Sequence, residues 1–545
     1  MSIFNSHPPK INKNKLIKWL ITNYNFKYKK KISLKKLNSE RDKNYLLSIN
    51  NKSKFVLKIS NKFESKKFLE LQDYVLKSLK KKSSIKKIIP KIIHKKIKTF
   101  VDENNSPCCI RILSYIEGKM YADSKNSIDL ESSLGSYVGI LSKELQNLVH
   151  KAAFRKFEWD PSSIDWIKIH INLFKSNRKK IIQKILNEYI YFVKKNKSNL
   201  RYSLTHGDVN NYNLVVSNNK ITGLLDYGDM LFAPTINDLA ICLAYALMNK
   251  NNLYDSLKTI VLNYHNQFPL TFDEIFSLMT IVKSRLTISV IMAEKQIKKF
   301  PNNKYLVISQ KDAWSLLYKL DKINPYIFVY LIRDFCNYPI TKNYRKIISY
   351  LRTNKFSKIF DKEINEFNKS IINLEAKSPF NSISINNPKK LTKKIKNYLF
   401  KNNAEIGLGL YGEKRNVYKG NNFISFFNSN ERRNIHLGID FFINEGATIK
   451  SPIDGKIVIL HNNEERFDYG PTVVLEHKVN SEIKFYTLYG HLSEKCLKKL
   501  SIGKKIKEGD KFAEIGNFPI NGNWSPHLHF QIIIDLMNEK KNFPG

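Results

Sequence analysis

The stretch "LTHGDVNNYNLVV" (204–216), followed closely by "ITGLLDYGDM" (221–230), places two acids and an amide between strand-like apolar runs. Phosphoryl transfer needs an orienter or base for the attacking hydroxyl, oxygen ligands for Mg²⁺ and a lysine on the phosphates. Carboxylate and amide oxygens are the ligands that Mg²⁺ prefers. The pattern therefore predicts Asp208 as the catalytic carboxylate, with Asn213 and Asp226 as the Mg²⁺ ligands.

A lysine stands upstream of this stretch, in the strand-like run "KFVLKIS" (54–60). Lys58 is expected to contact the α and β phosphates of a nucleotide. Glu64 shares the apolar face of the helical pattern that follows, so it is the expected partner of Lys58, with Gln72 on the same face as the alternative. A lone His-Gly-Asp would favour a simple turn with acidic caps. The lysine upstream of the motif and the second acid downstream of it, in that order, argue against that interpretation.

Composition sets limits on the class of protein. The 545 residues carry a formal charge of +44, and lysine is spread over nearly every segment, so the charge predicts steering of anionic ligands rather than a nucleic-acid partner. Five cysteines are present without a C-x-x-C pair: Cys108, Cys109, Cys242, Cys336 and Cys496. They indicate a reducing compartment. The first residues lack a signal-peptide core, and "LAICLAYALM" (239–248) is about half a membrane span, so we expect a cytoplasmic chain without a membrane partner.

Changes of pattern along the chain predict a multidomain protein. Residues 1–119 form a small α/β lobe, and residues 120–374 are mostly helical around the quoted strand-rich stretch. A Ser-, Asn- and Pro-rich segment predicts a linker over 375–404. Short strands separated by glycine turns then predict an all-β domain over 405–545.

The segment "THGDVNNYNLVV…GLLDYGD" resembles the aminoglycoside phosphotransferase/choline kinase family, whose members have an α+β bilobal fold like that of protein kinases. The family pattern His-Gly-Asp-x-x-x-x-Asn, followed by an Asp, falls on Asp208, Asn213 and Asp226 of this sequence. The resemblance implies a kinase that uses ATP or GTP with Mg²⁺. His206 is expected to hold the catalytic loop rather than to act as a base.

Three further segments carry the same resemblance. "LNSERDKNYLL" (37–47) resembles the phosphate loop of the homoserine and hydroxylysine kinase branches, which implies a nucleotide contact from Ser39. "ILSYIEG" (112–118) resembles the interlobe hinge, which implies that Tyr115 lies at the purine. "FEWDPSSIDW" (157–166) is similar to a segment of the hydroxylysine kinase-like branch. An amino alcohol or a hydroxylated amino acid is therefore the expected phosphate acceptor.

Six of the twelve histidines fall after residue 435: His436, His461, His477, His491, His527 and His529. The motif "HLGID" places a histidine and an aspartate four residues apart, and "PHLHF" places two histidines on one face of a strand. One histidine from each motif and the carboxylate make three ligands with an open fourth position, which is typical of catalytic zinc.

This last region resembles the lysostaphin-type zinc metallopeptidases, which have a duplicated hybrid motif-like fold. The resemblance implies three Zn²⁺ ligands: His436, Asp440 and His529. It further implies that His491, in "YGHLS", and His527 assist catalysis. His461 and His477 lie outside the pattern and are expected to be ordinary strand or surface residues.

The combination leaves several functions open. A bifunctional kinase and zinc hydrolase is favoured; the alternatives are an active kinase with a non-catalytic metal module, and a peptidoglycan-type endopeptidase with a kinase-like sensor. A non-enzymatic nucleic-acid binder rests on charge alone. Some bacterial proteins join two such domains to a pyridoxal-phosphate aminotransferase-like domain, so the resemblance also implies a partner of that type.

Overall fold

A computed structural model describes the chain and divides it into two compact units, Met1–Tyr338 and Pro339–Gly545. The described residues run from 7 to 539, apart from gaps at 25–30, 40, 51–52, 95, 300–303, 342, 376, 383–386, 416–422, 426 and 429. The first unit is bilobal and the second is rich in strands, so the predicted multidomain fold class is confirmed.

The small lobe of the first unit is an antiparallel sheet with strand order β1-β2-β3-β5-β4. Its strands are β1 (Ile32–Leu37), β2 (Lys43–Ile49), β3 (Ser53–Ile59), β4 (Lys98–Val101) and β5 (Pro107–Ser114). Its helices are α1 (Lys13–Tyr24) and α2 (Lys66–Lys80). Leu16 and Leu20 of α1 are fully buried against the sheet. Strand β3 carries Lys58, which lies opposite Asn44 of β2.

The large lobe surrounds the quoted stretch with helices. Two small antiparallel ribbons contain β6 (Lys119–Met120), β7 (Tyr202–Thr205), β8 (Leu214–Ser217), β9 (Lys220–Leu224) and β10 (Leu231–Pro234). The helices are α3 (Ile128–Leu145), α4 (Ser176–Glu188), α5 (Asn237–Ala246), α6 (Leu253–Gln267), α7 (Phe272–Lys299), α8 (Lys304–Asp321) and α9 (Pro325–Phe335). Loops at the ends of these ribbons carry Asp208 and Asp226.

Helix α7 is the central helix of this lobe. Within the described residues it is the one helix long and apolar enough to cross a membrane, and 83% of its most apolar window is buried in the structure. A helix that is apolar on all sides is expected inside a large core. The charged residues in its middle therefore require buried partners.

The second unit is built on an eight-stranded sheet with the order β11-β12-β13-β20-β17-β16-β15-β18, beside a β14–β19 ribbon. The strands are β11 (Lys369–Ile371), β12 (Ile406–Gly409), β13 (Ile439–Phe442), β14 (Thr448–Lys450), β15 (Gly455–Asn463), β16 (Gly470–Lys478), β17 (Lys484–Gly490), β18 (Lys505–Ile506), β19 (Lys511–Glu514) and β20 (Leu528–Ile533). The helices are α10 (Tyr344–Thr353), α11 (Pro379–Ser382), α12 (Pro388–Lys401) and α13 (Lys495–Lys499).

The division between the units lies at Tyr338/Pro339, whereas the sequence pattern predicted a linker over 375–404. Residues 339–374 belong to the second unit because they fill its core: Phe360 is 2% exposed, and β11 extends the sheet by pairing with β12. Helix α12 occupies much of the predicted linker, and residues 383–386 of that segment lie outside the described residues. Composition identified a polar segment at 375–404, but it did not show which unit the few apolar residues of that segment pack into.

Candidate active sites

The carboxylate of Asp208 lies in the loop after β7 and is held on both oxygens. Its Oδ1 accepts a hydrogen bond from Arg285 Nη2 at 2.6 Å. Its Oδ2 accepts from Asn210 Nδ2 at 2.9 Å and from Asn213 Nδ2 at 2.8 Å. Because the amide nitrogen of Asn213 faces Asp208, the amide oxygen is the atom left to hold a cation.

The pKa of Asp208 is raised to about 6, because desolvation raises it by more than the nearby Arg285 guanidinium lowers it. Asp208 is then ionised at neutral pH but close enough to titration to accept a proton. Its side chain is 19% exposed, so a substrate hydroxyl can approach it. The residue has both the charge state and the access that a base or orienter needs.

Asp226 and Lys58 form an ion pair across the two lobes, with Nζ 2.8 Å from Oδ1. Lys58 lowers the pKa of Asp226. The backbone of Asp226 has φ of 53°, a left-handed conformation that is uncommon for a non-glycine residue. The Asp226 side chain is 48% exposed while that of Lys58 is 10% exposed, which leaves carboxylate surface for a metal ion.

The structure corrects the predicted Lys58–Glu64 pair. Helix α2 begins at Lys66, so Glu64 precedes it and the helical-face argument does not apply; its Oε1 accepts from Ser65 N at 3.0 Å. The alternative, Gln72, accepts a bond from Arg111, which lies opposite Lys58 on β5. Among the described residues, the acidic partner of Lys58 is Asp226.

The predicted nucleotide contacts lie at the edges of the small lobe. Ser39 Oγ donates to Asp42 O at 2.7 Å in the β1–β2 loop. In the same loop, Arg41 Nη2 lies 2.7 Å from Asp229 Oδ1 and links the loop to the segment that carries Asp226. Tyr115 follows β5 on the connection between the lobes, with Lys54 Nζ 5.9 Å from its ring centroid. Their roles toward a nucleotide stay predictions.

His206 supports the catalytic loop. Asp238 accepts from the backbone nitrogens of His206 and Gly207, both at 2.9 Å. Burial lowers the pKa of His206, and its Nε2 lies 3.1 Å from Leu225 O, so the ring is a neutral donor to that carbonyl. Gly207 has φ of +79°, and a Cβ there would lie 2.3 Å from Asp229 O. The loop therefore requires glycine at this position.

Sequence reasoning missed Arg285, in the middle of α7. Its side chain is 2% exposed, and its guanidinium carbon lies 4.7 Å from the Trp159 ring centroid. Arginine is almost never buried without a partner, and here the partner is Asp208. A charge in an apolar helical run was the available signal, but it could not identify a partner 77 residues away.

In the second unit, the structure brings the three predicted zinc ligands together. Asp440 on β13 lies opposite His529 on β20, with His529 Nδ1 3.0 Å from Asp440 Oδ1. His436 Nε2 lies 3.1 Å from the same oxygen and 3.0 Å from His529 Nδ1. All three side chains are buried, and their ligand atoms lie within 4.8 Å of one another.

The outer nitrogens of the two histidines are already hydrogen-bonded. His436 Nδ1 lies 2.8 Å from Leu410 O, and His529 Nε2 lies 3.2 Å from Gln531 Oε1. When one ring nitrogen donates a hydrogen bond, the other is unprotonated, and its lone pair can bind a metal. The set therefore fits Zn²⁺ with two imidazoles and one carboxylate.

His491 and His527 lie beside this cluster with ring centroids 4.2 Å apart. His527 Nδ1 faces Ser525 O at 2.7 Å, and His491 Nδ1 faces Asn521 O at 2.8 Å. Burial lowers the pKa of His527 to about 4 and lowers that of His491. Both rings are therefore neutral, with Nε2 unprotonated. His527 Nε2 lies 3.6 Å from Asp440 Oδ1, at the edge of the predicted metal site.

Two other buried residues of the second unit, His477 and Arg415, differ in what they contact. His477 is buried, with Nδ1 2.8 Å from Asp454 O and Nε2 2.7 Å from Thr487 Oγ1, as expected for a residue outside the pattern. Sequence reasoning missed Arg415, whose Nη1 lies 2.7 Å from Asp440 Oδ2.

Two family models match separate parts of the sequence. Residues 33–255 match the phosphotransferase enzyme family, and residues 434–542 match peptidase family M23. The chain joins a phosphotransferase-family domain to an M23 domain. Both resemblances noted in the sequence are thereby confirmed.

Known proteins resemble the phosphotransferase-family and M23 domains separately. Hydroxylysine kinase of Xenopus laevis is 27% identical over 228 residues, which are 39% of this chain and 61% of that protein. The chain thus spans about three fifths of that relative. An uncharacterized metalloprotease of Haemophilus influenzae is 30% identical over 120 residues, 20% of this chain and 22% of that protein. A microcompartment-associated aminopropanol kinase is 14% identical with a TM-score of 0.45, over 60% of this chain and 100% of that chain.

Proposed function

We propose that the phosphotransferase-family domain transfers the γ-phosphoryl group of ATP or GTP to a hydroxyl of a small amino alcohol or hydroxylated amino acid. The observation that carries the proposal is the arrangement of Asp208 between Arg285 and Asn213, beside the Lys58–Asp226 pair. Hydroxylysine is the first acceptor to test, because hydroxylysine kinases are among the relatives of this domain.

Each residue has a role that follows from its contacts. Asp208 orients the acceptor hydroxyl and accepts its proton as the O–P bond forms. Lys58 gives up part of its hydrogen bonding to Asp226 so that its ammonium group can bind the nucleotide phosphates. Asn213 and Asp226 would hold Mg²⁺, which neutralises charge on the phosphates when bound. Ser39 and Tyr115 would contact the phosphates and the purine.

The setting of the reaction is part of the same proposal. The proposed location is the cytoplasm; the five free cysteines support a reducing compartment. A pyridoxal-phosphate aminotransferase-like protein or domain is the proposed partner, since it would act on a phosphorylated amino alcohol. Nucleic acid and membrane are not proposed as partners.

The test is nucleotide turnover by the purified chain with Mg²⁺, against hydroxylysine, ethanolamine, choline, homoserine and an aminoglycoside. One acceptor is expected to stimulate release of the nucleoside diphosphate. Asp208→Asn should abolish the stimulation while leaving nucleotide binding and the melting temperature in place. Full stimulated turnover by Asp208→Asn would overturn the assignment.

For the M23 domain we propose zinc-dependent hydrolysis of a short peptide or a small amide. The supporting observation is the pair of histidines whose ligand nitrogens are selected by Leu410 and Gln531. Bound zinc would polarise the scissile carbonyl and activate water. The neutral rings of His527 and His491 would each accept a proton at Nε2, and a ring protonated in this way could then donate a hydrogen bond to the developing oxyanion.

A panel of glycyl peptides tests the M23 proposal. Hydrolysis should disappear on treatment with a chelator and return with added zinc. Zinc binding without turnover of any peptide would favour the non-catalytic metal module instead. Peptide hydrolysis in a chain that shows no acceptor-stimulated nucleotide turnover would favour an endopeptidase with a kinase-like sensor.

A further inference from the structure

Arg415 is buried beside the predicted zinc ligand Asp440 and contacts two carboxylates. Its side chain is 3% exposed, and Nη1 lies 2.7 Å from Asp440 Oδ2. Its Nε and Nη2 lie 2.9 and 2.7 Å from Glu413 Oε2. We propose that Arg415 is a positioning residue that makes Asp440 bind the metal through Oδ1 alone. The inference rests on the proposed metal site.

The two oxygens of Asp440 face different partners. Oδ1 faces His436 Nε2 at 3.1 Å and His529 Nδ1 at 3.0 Å, where the ligand atoms converge. Oδ2 faces Arg415. A carboxylate can bind a cation through one oxygen or both, and a charge-assisted hydrogen bond holds one oxygen strongly. Arg415 would thus leave a single oxygen of Asp440 for the metal.

Glu413 makes a buried guanidinium compatible with a neighbouring dication. A buried cation without a counter-charge is strongly unfavourable, and a divalent metal near it adds repulsion. Glu413 is 6% exposed and directs one oxygen at two nitrogens of Arg415. Arg415 can therefore serve Asp440 as a hydrogen-bond donor without adding a net charge to the site.

The backbone places Arg415 and the ligand His436 in the same ladder. Arg415 N donates to Asn434 O at 2.7 Å, and His436 N donates to Glu413 O at 2.9 Å. The residue opposite Asp440 across β12 and β13 is Gly409. A Cβ on Gly409 would lie 2.9 Å from Arg415 Nη2, so glycine leaves the space in which the guanidinium lies.

Charge alone and positioning predict opposite effects of removing Arg415. If Arg415 acted only through its charge, a neutral residue would tighten zinc binding, because repulsion of the dication would fall. If it orients Asp440, the neutral residue frees the carboxylate to rotate and zinc binding weakens. Loss of such an outer partner typically lowers metal affinity by about 10- to 100-fold.

The experiment measures zinc affinity of the full chain by competition with a chromophoric chelator, and the absorption spectrum of the Co²⁺-loaded chain. Arg415→Met should weaken zinc binding by about 10- to 100-fold. Its cobalt bands should lose intensity as the coordination number rises. Arg415→Lys, which keeps one donor, should restore part of the affinity and of the band intensity.

Two further variants separate positioning from charge and from general damage. Glu413→Gln leaves Arg415 on Asp440, so the cobalt spectrum should be unchanged while zinc binds more weakly. His477→Gln disturbs a buried polar residue of the same sheet outside the cluster, and should change neither readout. Circular dichroism checks that each variant is folded.

Equal or tighter zinc binding by Arg415→Met, with an unchanged cobalt spectrum, would overturn the proposal while leaving the zinc site intact. Failure of the unaltered chain to bind zinc would overturn the metal site, and this inference with it. If Arg415→Met does not fold, Arg415→Lys and Glu413→Gln decide the matter through the cobalt spectrum. An unchanged spectrum in Arg415→Lys would then count against positioning.

Discussion

Replacing Arg285 with methionine should move the acid limb of the kcat/KM profile to higher pH. The pKa of Asp208 is raised to about 6 in the presence of Arg285, because desolvation raises it by more than Arg285 lowers it. If ionised Asp208 is required, activity falls as pH drops through this pKa. Loss of the guanidinium leaves the charged carboxylate less stable, so its pKa rises and a higher pH is needed to ionise it.

The contact between the two groups sets the size of the shift. The Nη2–Oδ1 distance of 2.6 Å puts the charge centres about 4 Å apart, where a unit pair is worth about 4 kcal/mol at an effective dielectric constant of about 20. At about 1.4 kcal/mol per pKa unit, the upper limit is about 3 units. Asp208 is 19% exposed and keeps its bonds from Asn210 and Asn213. We therefore expect an increase of about 1–2 units.

The assay measures nucleoside diphosphate directly by chromatography between pH 5 and 9 with the stimulating acceptor, since coupling enzymes have pH profiles of their own. Arg285→Lys keeps the charge and should hold the limb close to that of the unaltered chain. Lys283→Met is the matched control. Lys283 lies on α7, as Arg285 does, and forms a buried ion pair with Glu188 of α4, with Nζ 2.8 Å from Oε2. This substitution should lower stability without moving the limb.

An acid limb that stays in place in Arg285→Met, while activity remains measurable, would refute the reasoning. So would an equal displacement in Lys283→Met, because that variant leaves Asp208 untouched. A limb that moves to lower pH would mean that the titrating group is stabilised in its protonated form by Arg285, which the geometry contradicts.

Two other substitutions test the remaining roles. Lys58→Met removes the partner of Asp226 and the predicted phosphate contact, so kcat/KM for the nucleotide should fall by about 100-fold or more; a change of less than about threefold, measured with a folded variant, would contradict the role. His529→Ala removes one of the three converging ligand atoms, so zinc content by mass spectrometry and peptide hydrolysis should fall together. Hydrolysis that persists without zinc would exclude the metal mechanism.

The parts of the sites that sequence predicted best are local. Asp208, Asn213 and Asp226 stand close together in the chain, and the turns between them leave few ways to arrange the side chains. The structure accordingly brings Asn213 onto Asp208. The zinc ligands are not local in this sense, because Asp440 and His529 lie 89 residues apart. Each was recognised from its own short motif, "HLGID" or "PHLHF", and the adjacent strands β13 and β20 bring them together.

The site prediction that failed, Glu64, depended on where a helix begins, and the two residues that were missed, Arg285 and Arg415, depend on distant packing. Glu64 shared a helical face with apolar residues, but α2 begins at Lys66, so that face does not include it. Arg285 lies 77 residues from Asp208, and no periodic pattern encodes such a pair. Arg415 is nearer to its partner Asp440 in the sequence. Their contact nevertheless depends on backbone hydrogen bonds between the segments around Arg415 and His436, and composition does not reveal that pairing.

The most direct test of the central claim follows the γ-phosphoryl group itself. The purified chain is incubated with Mg²⁺, hydroxylysine and ATP or GTP that carries a radioactive γ-phosphate; the products are separated by chromatography and the label in each is counted. Labelled phosphohydroxylysine is expected from the unaltered chain and none from Asp208→Asn. Transfer that survives Asp208→Asn, or label that appears only as inorganic phosphate with every acceptor of the panel, would contradict it.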